Sequence, residues 1–521
     1  MATPSSPIES TPLLIERNNS LITREGSSLS PSETVVYPFR ALGASDDPAG
    51  GRLNLKDSVS LFHDSLPVIL SYILQNSIQT TSVIVAGRLG PNELSVAAFS
   101  MMFVFVTGEC TSGCVALGGT TALDTLGSQA FTGGSRKTDL SVHFQRCVLV
   151  LWVLLLPISL LWAFAEPVLL AFGQSEKLSR EAQDFLRVMI FGMPGYVGFE
   201  SLKKYLQCQG ILDAATSVLI VVFPLNLGLN VLLVHYTSLR ILGAAWAVTL
   251  TYWLCFALLA TWTSRSTAHS SHGTWGGFHF KAALEPRGCY EFLKLAIPGI
   301  LMVGTEWLAF EIVALAAGQL GDVPLAAQSV IMTTDQILNT IPFGIGVAAS
   351  TRVGNLIGAR SALGAKNAAY ASALLSVIIG SFVMVFLIAF KNVFGLLFSD
   401  DEAVVRLVSV VMPLVASFQV ADGLAGSCGG VLRGQGRQHL GALFNLVAYY
   451  VLALPVGITL AFRYNQGLQG LWIGQVVALF LVGAAEFLVV WLGTDWKQEV
   501  LKGIERNQGE AKRQACIANE E

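Results

Sequence analysis

Acidic residues lie inside segments of this sequence that are otherwise apolar enough for a lipid bilayer. Residues 305–321 read TEWLAFEIVALAAGQLG and contain Glu306 and Glu311, while Asp422 lies in FQVADGLAGSCGGVLRGQG. A charged carboxylate at the bilayer centre costs at least about 2.5 kcal/mol, so such groups normally face a bundle interior or a water-filled cavity. Burial and neighbouring acids raise the pKa of carboxyl groups in general. Such a cluster can therefore hold either a proton or an organic cation, and this competition is the minimum chemistry of an antiporter.

The helix that carries the two glutamates has further features that suit a binding site. Five residues correspond to about 140° of helix rotation, so Glu306 and Glu311 do not share a face, but both can border one cavity. Pro298 is expected to bend the helix and to free backbone carbonyls for that cavity. Trp307 and Phe310 suit a flat, apolar cation through stacking or cation–π contact. As packing residues, these two aromatic side chains would need no further function.

Other acids in apolar segments predict simpler roles. Glu200 is expected near the cytoplasmic membrane surface, paired with Lys203 and Lys204. Asp124 stands at the end of its segment, where a capping or loop-anchoring role is sufficient. Glu486 has no acidic neighbour in its segment, which favours a surface or packing role.

The composition is that of an integral membrane protein. Hydrophobic residues make up 53% of the 521 residues and charged residues only 13%, about half the roughly 25% that is usual for soluble proteins. The net charge of −3, with no basic arm and no phosphate-binding loop, gives no indication of nucleic acid binding. The eight cysteines have no metal or haem spacing. No metal or other cofactor is predicted.

Twelve apolar segments are long enough to cross a bilayer, which requires about 20 residues each. Lys and Arg, including Lys203, Lys204 and Arg433, are more frequent after even-numbered segments than after odd-numbered ones, which predicts that both termini are cytoplasmic. The twelve segments are 61–86, 94–123, 140–165, 180–206, 212–235, 242–263, 290–318, 323–350, 366–390, 403–432, 439–463 and 468–493.

An internal repeat divides the chain into two halves. The segment that begins at Leu66 aligns with the one that begins at Ile297, which places AGRLG at 86–90 on AGQLG at 317–321. Six helices in each half give both halves the same orientation, an arrangement that puts a substrate site between them and lets them rock. Glu306 falls opposite Gln75, Glu311 opposite Thr80 and Asp422 opposite Tyr196, so the acids belong to one half only.

The predicted fold is therefore an all-α membrane protein with twelve transmembrane helices in two six-helix lobes. The linker histidines, His269, His272 and His279, match no common zinc spacing and are expected in a solvated loop. The C-terminal segment is expected to form a short helix followed by frayed chain. The predicted boundaries are a disordered cytoplasmic tail at 1–57, an N-lobe at 58–263, a cytoplasmic linker at 264–289, a C-lobe at 290–495 and a cytoplasmic tail at 496–521.

Several motifs resemble those of the eukaryotic, fungal-like members of the MATE (multidrug and toxic compound extrusion) family. They include PGILMVGTEWLAFEIVALAAGQLG, PFGIGVAASTRVGNLIGARS and GGVLRGQGRQHLGALFNLVAYYVLALPVG in the second half, and VAGRLGPNELSVAAFS and TTALDTLGSQAF in the first. The resemblance covers nearly all of residues 60–495. It implies a cavity between two lobes that opens alternately to each side, and export of organic cations in exchange for protons or sodium.

The resemblance also implies where the site lies. The coupling acids of eukaryotic members map onto Glu306, Glu311 and Asp422 in the C-lobe. A further acid of some animal members falls on Thr333. Asp335, two residues further along the helix, either replaces that acid or faces another direction. The residues predicted to contact substrate are Trp307, Phe310, Gln75, Asn76, Gln328, Asp335 and Tyr196.

The remaining expectations concern function class and location. A lipid or glycan-precursor flippase of related architecture is the alternative to an antiporter, and no nucleophile with a base or metal cluster indicates an enzyme. Besides small cationic or amphipathic substrates and the coupling ion, only membrane lipids are expected as partners, with a monomeric protein. ESTPLL at 9–14 resembles an acidic dileucine sorting signal, which leaves the vacuolar and plasma membranes as rival locations.

Overall fold

The computed structural model describes residues 55–89, 96–97, 100, 115–171, 175–398 and 400–519. Within these ranges the ordered elements are helices, and no β-strand occurs. Nine of the described helices are long and apolar enough to cross a membrane by length and composition. The prediction of an all-α membrane protein is confirmed. The dileucine-like motif and most of the predicted N-terminal tail lie outside the described residues.

The first half of the chain packs around one central helix, α5, which lies against α3 and α7. The side chains of Phe185, Met189 and Tyr205 from α5 are buried in this core. The helices are α1 (Leu55–Gly87), α2 (Thr121–Gly133), α3 (Asp139–Ala163), α4 (Ala165–Ala171), α5 (Glu176–Cys208), α6 (Ala214–His235) and α7 (Ile241–Arg265).

The second half repeats this plan around α14, which packs against α12, α13 and α16. Two short helices, α8 (Thr267–His272) and α9 (Phe280–Ala283), lie in the linker that precedes the second half. The helices that follow are α10 (Pro286–Gln319), α11 (Asp322–Leu338), α12 (Thr340–Gly358), α13 (Ala362–Phe394), α14 (Glu402–Gln435), α15 (Gln438–Arg463), α16 (Gly467–Trp491) and α17 (Trp496–Asn519).

The helix ends follow local sequence signals. Asp401 caps α14, since its carboxylate accepts a hydrogen bond from the Ala403 amide at 2.8 Å. Gly436 ends the same helix with φ of 81°, a left-handed conformation that glycine adopts without steric cost. Pro286 begins α10 behind the Glu285 cap, at the position where its missing N–H is not needed.

The eighth predicted segment is not one helix. It is divided at Asn339 into α11 and α12, so the prediction of a single span over 323–350 was wrong at this point. Pro342 has no N–H with which to continue the hydrogen-bond ladder to Leu338. The break brings the Asn339 side chain into the interior of the second half.

The C-terminal segment forms a single helix, α17, rather than a short helix with a frayed end. Glu510 of α17 and Arg146 of α3 form a buried bidentate ion pair with N–O distances of 2.9 and 3.2 Å. Arg146 also donates hydrogen bonds to the carbonyls of Ala282 and Ala283 in the linker. Burial alone would raise the pKa of Glu510, but the charges of His143 and Arg146 hold it well below its ordinary value.

The linker is folded onto the N-lobe, which contradicts the expected solvated loop. His269 and His272 are 8% and 7% exposed, and only His279 is exposed. His269 lies 3.0 Å from the Tyr205 hydroxyl and His272 lies 3.3 Å from Gln209 Oε1. Burial lowers the pKa of both His269 and His272.

The two halves contact each other at the end of the bundle that carries the linker. Gln129 of α2 donates to the Gly434 carbonyl at 2.9 Å, and Thr132 donates to the Asn355 carbonyl at 2.7 Å. Gly118 and Gly299 also meet closely, because a Cβ built on Gly118 would lie 2.7 Å from the Gly299 carbonyl oxygen. The two halves are therefore in direct contact at the linker end of the bundle.

Candidate functional site

A cavity of about 50 Å³ lies in the second half, between α10, α12, α14, α15 and α16. This volume exceeds the roughly 30 Å³ that one water molecule occupies in the liquid. Apolar residues such as Val303, Leu479 and Val482 contribute part of the wall. The polar and charged side chains that line the cavity are Glu306, Asn339, Asp422, Arg433, Asn445 and Glu486.

Glu306 enters the cavity from the middle of α10. Its carboxylate accepts a hydrogen bond from the Tyr449 hydroxyl at 3.3 Å. Next to it, Asn445 donates to the Met302 carbonyl at 2.7 Å, which fixes α15 against α10. Tyr449 belongs to the π-helical stretch Leu446–Ala453 of α15, a local widening that often occurs at functional sites.

Asp422 faces Glu306 from α14 and is 3% exposed. It accepts a hydrogen bond from Asn339 Nδ2 at 3.1 Å, so the break between α11 and α12 supplies its partner. Asp335 lies behind the cavity wall and accepts from Gln419 Nε2 at 3.0 Å. The carboxyl groups of Glu306, Asp335 and Asp422 are close enough to repel one another when ionised.

The structure separates Glu311 and Phe310 from the cavity. Glu311 is half-buried on another side of α10 and is not among the lining residues. Phe310 packs in an aromatic core, with ring centroids 5.7 Å from Phe418 and 6.2 Å from Trp472. The same core holds Gln328, whose Oε1 accepts from Trp472 Nε1 at 2.8 Å. Of the predicted substrate residues in the C-lobe, only Trp307 lines the cavity.

The predicted residues of the first half form a separate polar cluster. Gln75 Nε2 donates to Glu200 Oε1 at 2.8 Å and to the Tyr196 hydroxyl at 3.1 Å, while Lys203 Nζ lies 2.7 Å from Glu200 Oε1. Glu200 is fully buried in the protein, and its predicted pairing with Lys203 is present. Asn76, one residue after Gln75, is exposed.

A second buried ion-pair group connects the two halves. Lys204 Nζ lies 2.9 Å from Asp124 Oδ1, and Arg433 Nε of α14 lies 3.8 Å from Asp124 Oδ2. Asp124 is therefore an interior ion-pair residue, and the expected capping role was wrong. Lys203, Lys204 and Arg433 are at most 4% exposed, so they do not belong to the loops in which the orientation argument counted them.

Sequence reasoning missed two charged residues of the cavity, Arg433 and Glu486. Arg433 was attributed to a loop because it stands close to the end of its apolar segment. Glu486 was attributed to packing because its sequence neighbours are apolar. The repeat contained a signal, since the alignment of Gly243 with Gly470 places Glu486 on Leu259. Glu486 is thus a fourth acid that belongs to one half only, after Glu306, Glu311 and Asp422.

An all-helical membrane bundle with two repeated halves and a polar cavity inside one of them is the architecture of a secondary transporter. The MatE family model matches residues 67–232 and 298–459. Its two matches begin at Pro67 and Pro298, the prolines that the internal repeat pairs. The chain belongs to the MATE family of membrane transporters.

Sequence relatives and solved structures agree with this membership. A transporter of Schizosaccharomyces pombe is 38% identical over 83% of this chain and 78% of its own length. Multidrug and toxin extrusion protein 2 of Mus musculus is 35% identical over 83% of this chain and 74% of its own length. Protein DETOXIFICATION 16 of Arabidopsis thaliana is 34% identical over 84% of this chain and 89% of its own length.

The crystal structure of the eukaryotic MATE transporter AtDTX14 is similar to this chain with a TM-score of 0.80 and 31% identity, covering 87% of this chain and 99% of that one. The Vibrio cholerae MATE transporter VcmN in its bent form has the same fold, with a TM-score of 0.74 at 15% identity. These similarities confirm the predicted architecture of twelve transmembrane helices in two lobes. The first and second halves are called the N-lobe and the C-lobe below.

Proposed function

We propose that this chain is a secondary active efflux antiporter that exports small cationic or amphipathic organic compounds in exchange for protons or sodium. Coupling occurs at the C-lobe cavity, where the carboxylates of Glu306 and Asp422 bind either the inorganic cation or the substrate. Binding of one displaces the other. The names of the relatives, multidrug and toxin extrusion protein 2 and DETOXIFICATION 16, agree with this substrate class.

The observation that carries the proposal is the meeting of Glu306 and Asp422 across one cavity. They come from helices that are distant in the sequence, and both line the same space with Trp307. Two buried carboxylates that repel one another favour binding of a proton or another cation. Trp307 supplies an aromatic surface for an organic cation. Glu311 stays a sequence prediction.

Alternating access would proceed by rocking of the two lobes. The lobes touch through α1 and α2 of the N-lobe and α12, α13 and α14 of the C-lobe. Rocking would have to exchange the hydrogen bonds of Gln129 and Thr132 for water and to separate Arg433 from Asp124. Each unit of pH gradient provides about 1.4 kcal/mol per coupled proton. A gradient of a few units is enough to concentrate a substrate more than a hundredfold.

The direct test is ethidium uptake into proteoliposomes that carry an imposed pH or sodium gradient. Glu306→Gln and Asp422→Asn should each abolish gradient-driven uptake, because a neutral amide cannot exchange a cation. Glu166→Gln, which removes a half-buried carboxylate of α4 in the N-lobe, is the matched control and should transport normally. Gradient-driven uptake that persists in both cavity variants would contradict the assignment and favour a flippase, which has no need of these acids.

Location and assembly are part of the same proposal. Both termini are cytoplasmic, the protein acts as a monomer, and it resides in the vacuolar or plasma membrane. Epitope tags at the two ends should both be protected in intact cells and accessible after permeabilisation. Accessibility of one tag alone in intact cells would contradict an even number of membrane crossings with cytoplasmic ends.

A further inference from the structure

Glu486 is the least satisfied charged group of the C-lobe cavity. It lies near the C-terminal end of α16, is 1% exposed and lines the cavity together with Glu306 and Asp422. Neither carboxylate oxygen receives a hydrogen bond from any residue that the structure describes. A buried carboxylate without donors is strongly destabilising as an anion, so this side chain needs a proton or another cation.

The charges around Glu486 leave that need unmet. Three carboxylates, those of Glu306, Asp422 and Glu486, line the cavity with a single guanidinium, that of Arg433. Arg433 lines the same cavity as Glu486, but it also lies against Asp124 of the N-lobe at 3.8 Å. With the carboxylates ionised, the cavity therefore carries an excess of negative charge in a medium that solvates it poorly.

The other groups that face Glu486 supply no further cation. Glu306 approaches from α10, while Arg433 and the Cys428 thiol approach from α14. Asn445 of α15, which also borders the cavity, donates its hydrogen bond to the Met302 carbonyl. Among the described residues, the lining thus offers Glu486 one shared guanidinium and no hydrogen-bond donor.

Two glycines bring the backbones of α14 and α15 close to Glu486. A Cβ built on Gly441 of α15 would lie 2.7 Å from the Met302 side chain and 3.0 Å from Glu486 Oε1, and one built on Gly429 of α14 would lie 2.5 Å from the Met302 methyl and 3.3 Å from Oε2. The two glycines therefore leave room for both Met302 and the carboxylate, which lie together at the cavity wall.

We propose that Glu486 is a third ion-binding carboxylate of the coupling site. It holds one of the protons that are released when substrate binds. The carboxylate accepts a proton to form a carboxylic acid when the cavity is empty of substrate, and it returns that proton to water when an organic cation binds near Glu306 and Asp422. This assignment rests on the proposed function, since it adds a residue to the same site.

The test is proton release from the purified full-length protein in weakly buffered, sodium-free detergent solution on addition of ethidium, followed with a pH indicator between pH 5.5 and 8.5. Glu486→Gln should release about one proton fewer per ethidium bound than the wild type at the pH of greatest release, since the sites titrate as a coupled group. Glu486→Asp should retain the release, and Glu166→Gln is the control for loss of a carboxylate outside the cavity.

Gly441→Ala gives a second, independent measurement, because it leaves the carboxylate in place but crowds Oε1 and the neighbouring Met302 side chain. The pH profile of its release should shift, while size-exclusion chromatography reports an intact fold. Release from Glu486→Gln that equals the wild-type release at every pH overturns the assignment of Glu486 alone. A wild-type protein that binds ethidium without releasing any proton overturns the proposed proton coupling and this assignment together.

Discussion

The two lobes share one scaffold but use buried charge in opposite ways. In the N-lobe, Glu200 and Lys203 neutralise each other at 2.7 Å, and Gln75 donates hydrogen bonds to Glu200 and to the Tyr196 hydroxyl. In the C-lobe, the positions that correspond to Gln75 and Tyr196 hold Glu306 and Asp422, which repel one another and border a cavity. The N-lobe charges are thus suited to structure and the C-lobe charges to exchange with a mobile cation.

The repeat also explains how the C-lobe cavity forms. The register that aligns Gln209 and Gly210 with Gln435 and Gly436 places Glu200 on Gly426 and Lys203 on Gly429, and Gly426 lines the cavity. Two large charged side chains of α5 are therefore replaced by glycines in α14. Removal of those side chains leaves the room into which Glu306, Asp422 and Glu486 project.

The largest expected effect is on the N-lobe side of this comparison. Asp124→Asn leaves Lys204 and Arg433 buried without their shared carboxylate, and breaking a buried ion pair in this way costs about 3–5 kcal/mol. The expected result is a clear loss of thermal stability, measured by unfolding in detergent, together with weaker contact between the two halves.

Asp422→Asn is the matched substitution on the C-lobe side. It should leave the unfolding temperature unchanged or raise it, because it removes a buried charge that has no cationic partner at hydrogen-bonding distance. It should nevertheless abolish gradient-driven transport. Equal losses of stability in Asp124→Asn and Asp422→Asn would break the contrast between a structural and a functional lobe.

The next effect concerns Gly429, the glycine that the repeat aligns with Lys203 of the N-lobe. Gly429→Ala places a Cβ 2.5 Å from the Met302 methyl and 3.3 Å from Glu486 Oε2. Met302 is flexible, so we expect a stability loss near the lower end of the roughly 1–3 kcal/mol typical of overpacking, with a larger loss of ethidium affinity measured by fluorescence titration. Gly228→Ala, at a glycine of α6 with nothing within 4 Å of the added carbon, should change neither quantity.

The sequence predicted the membrane-spanning helices well because the bilayer demands the same apolar length from each of them. The predicted segment 403–432, for example, lies within α14, and its helix ends at Gly436 for a reason visible in the sequence. The break at Asn339 was missed because apolar length does not report where the backbone ladder is interrupted. Pro342 was the only local indication.

The site was predicted only in part, because its partners come from helices that are distant in the sequence. Glu306 and Asp422 stood out as acids in apolar segments, but the meeting of Glu486 with them depends on how α16 packs against α10 and α14. Lys203 and Arg433 were misassigned for a related reason. A cation near the end of an apolar segment has the same sequence pattern whether it faces water or a buried carboxylate.

A smaller effect tests whether every acid of α10 belongs to the site. Glu311→Gln removes a carboxylate that lies outside the cavity, so transport should stay within about twofold of the wild-type rate, since no interaction with the bound ion is lost. Initial rates of ethidium uptake under a fixed gradient measure this directly, with Glu306→Gln as the comparison. A loss as large as that of Glu306→Gln would restore Glu311 to the coupling site and extend the functional surface to a second side of α10.

The smallest expected effect separates the pH dependence of the two lobes. Burial lowers the pKa of His269 and His272 in the linker, so the folded linker favours their neutral forms. In the unfolded chain, the same histidines take up protons below the ordinary histidine pKa of about 6.5. Linker packing on the N-lobe should be fully stable above that pH and weaken modestly as the pH falls below it.

Protease cleavage of the linker at pH 7.5 and 5.5 measures this, with a protease of similar activity at both. His269→Gln with His272→Gln should remove the pH dependence, and His63→Gln, at an exposed position of α1, should leave it unchanged. If Glu306→Gln instead removes the pH dependence of cleavage, then the C-lobe site, and not the linker histidines, controls the pH response of the junction between the lobes.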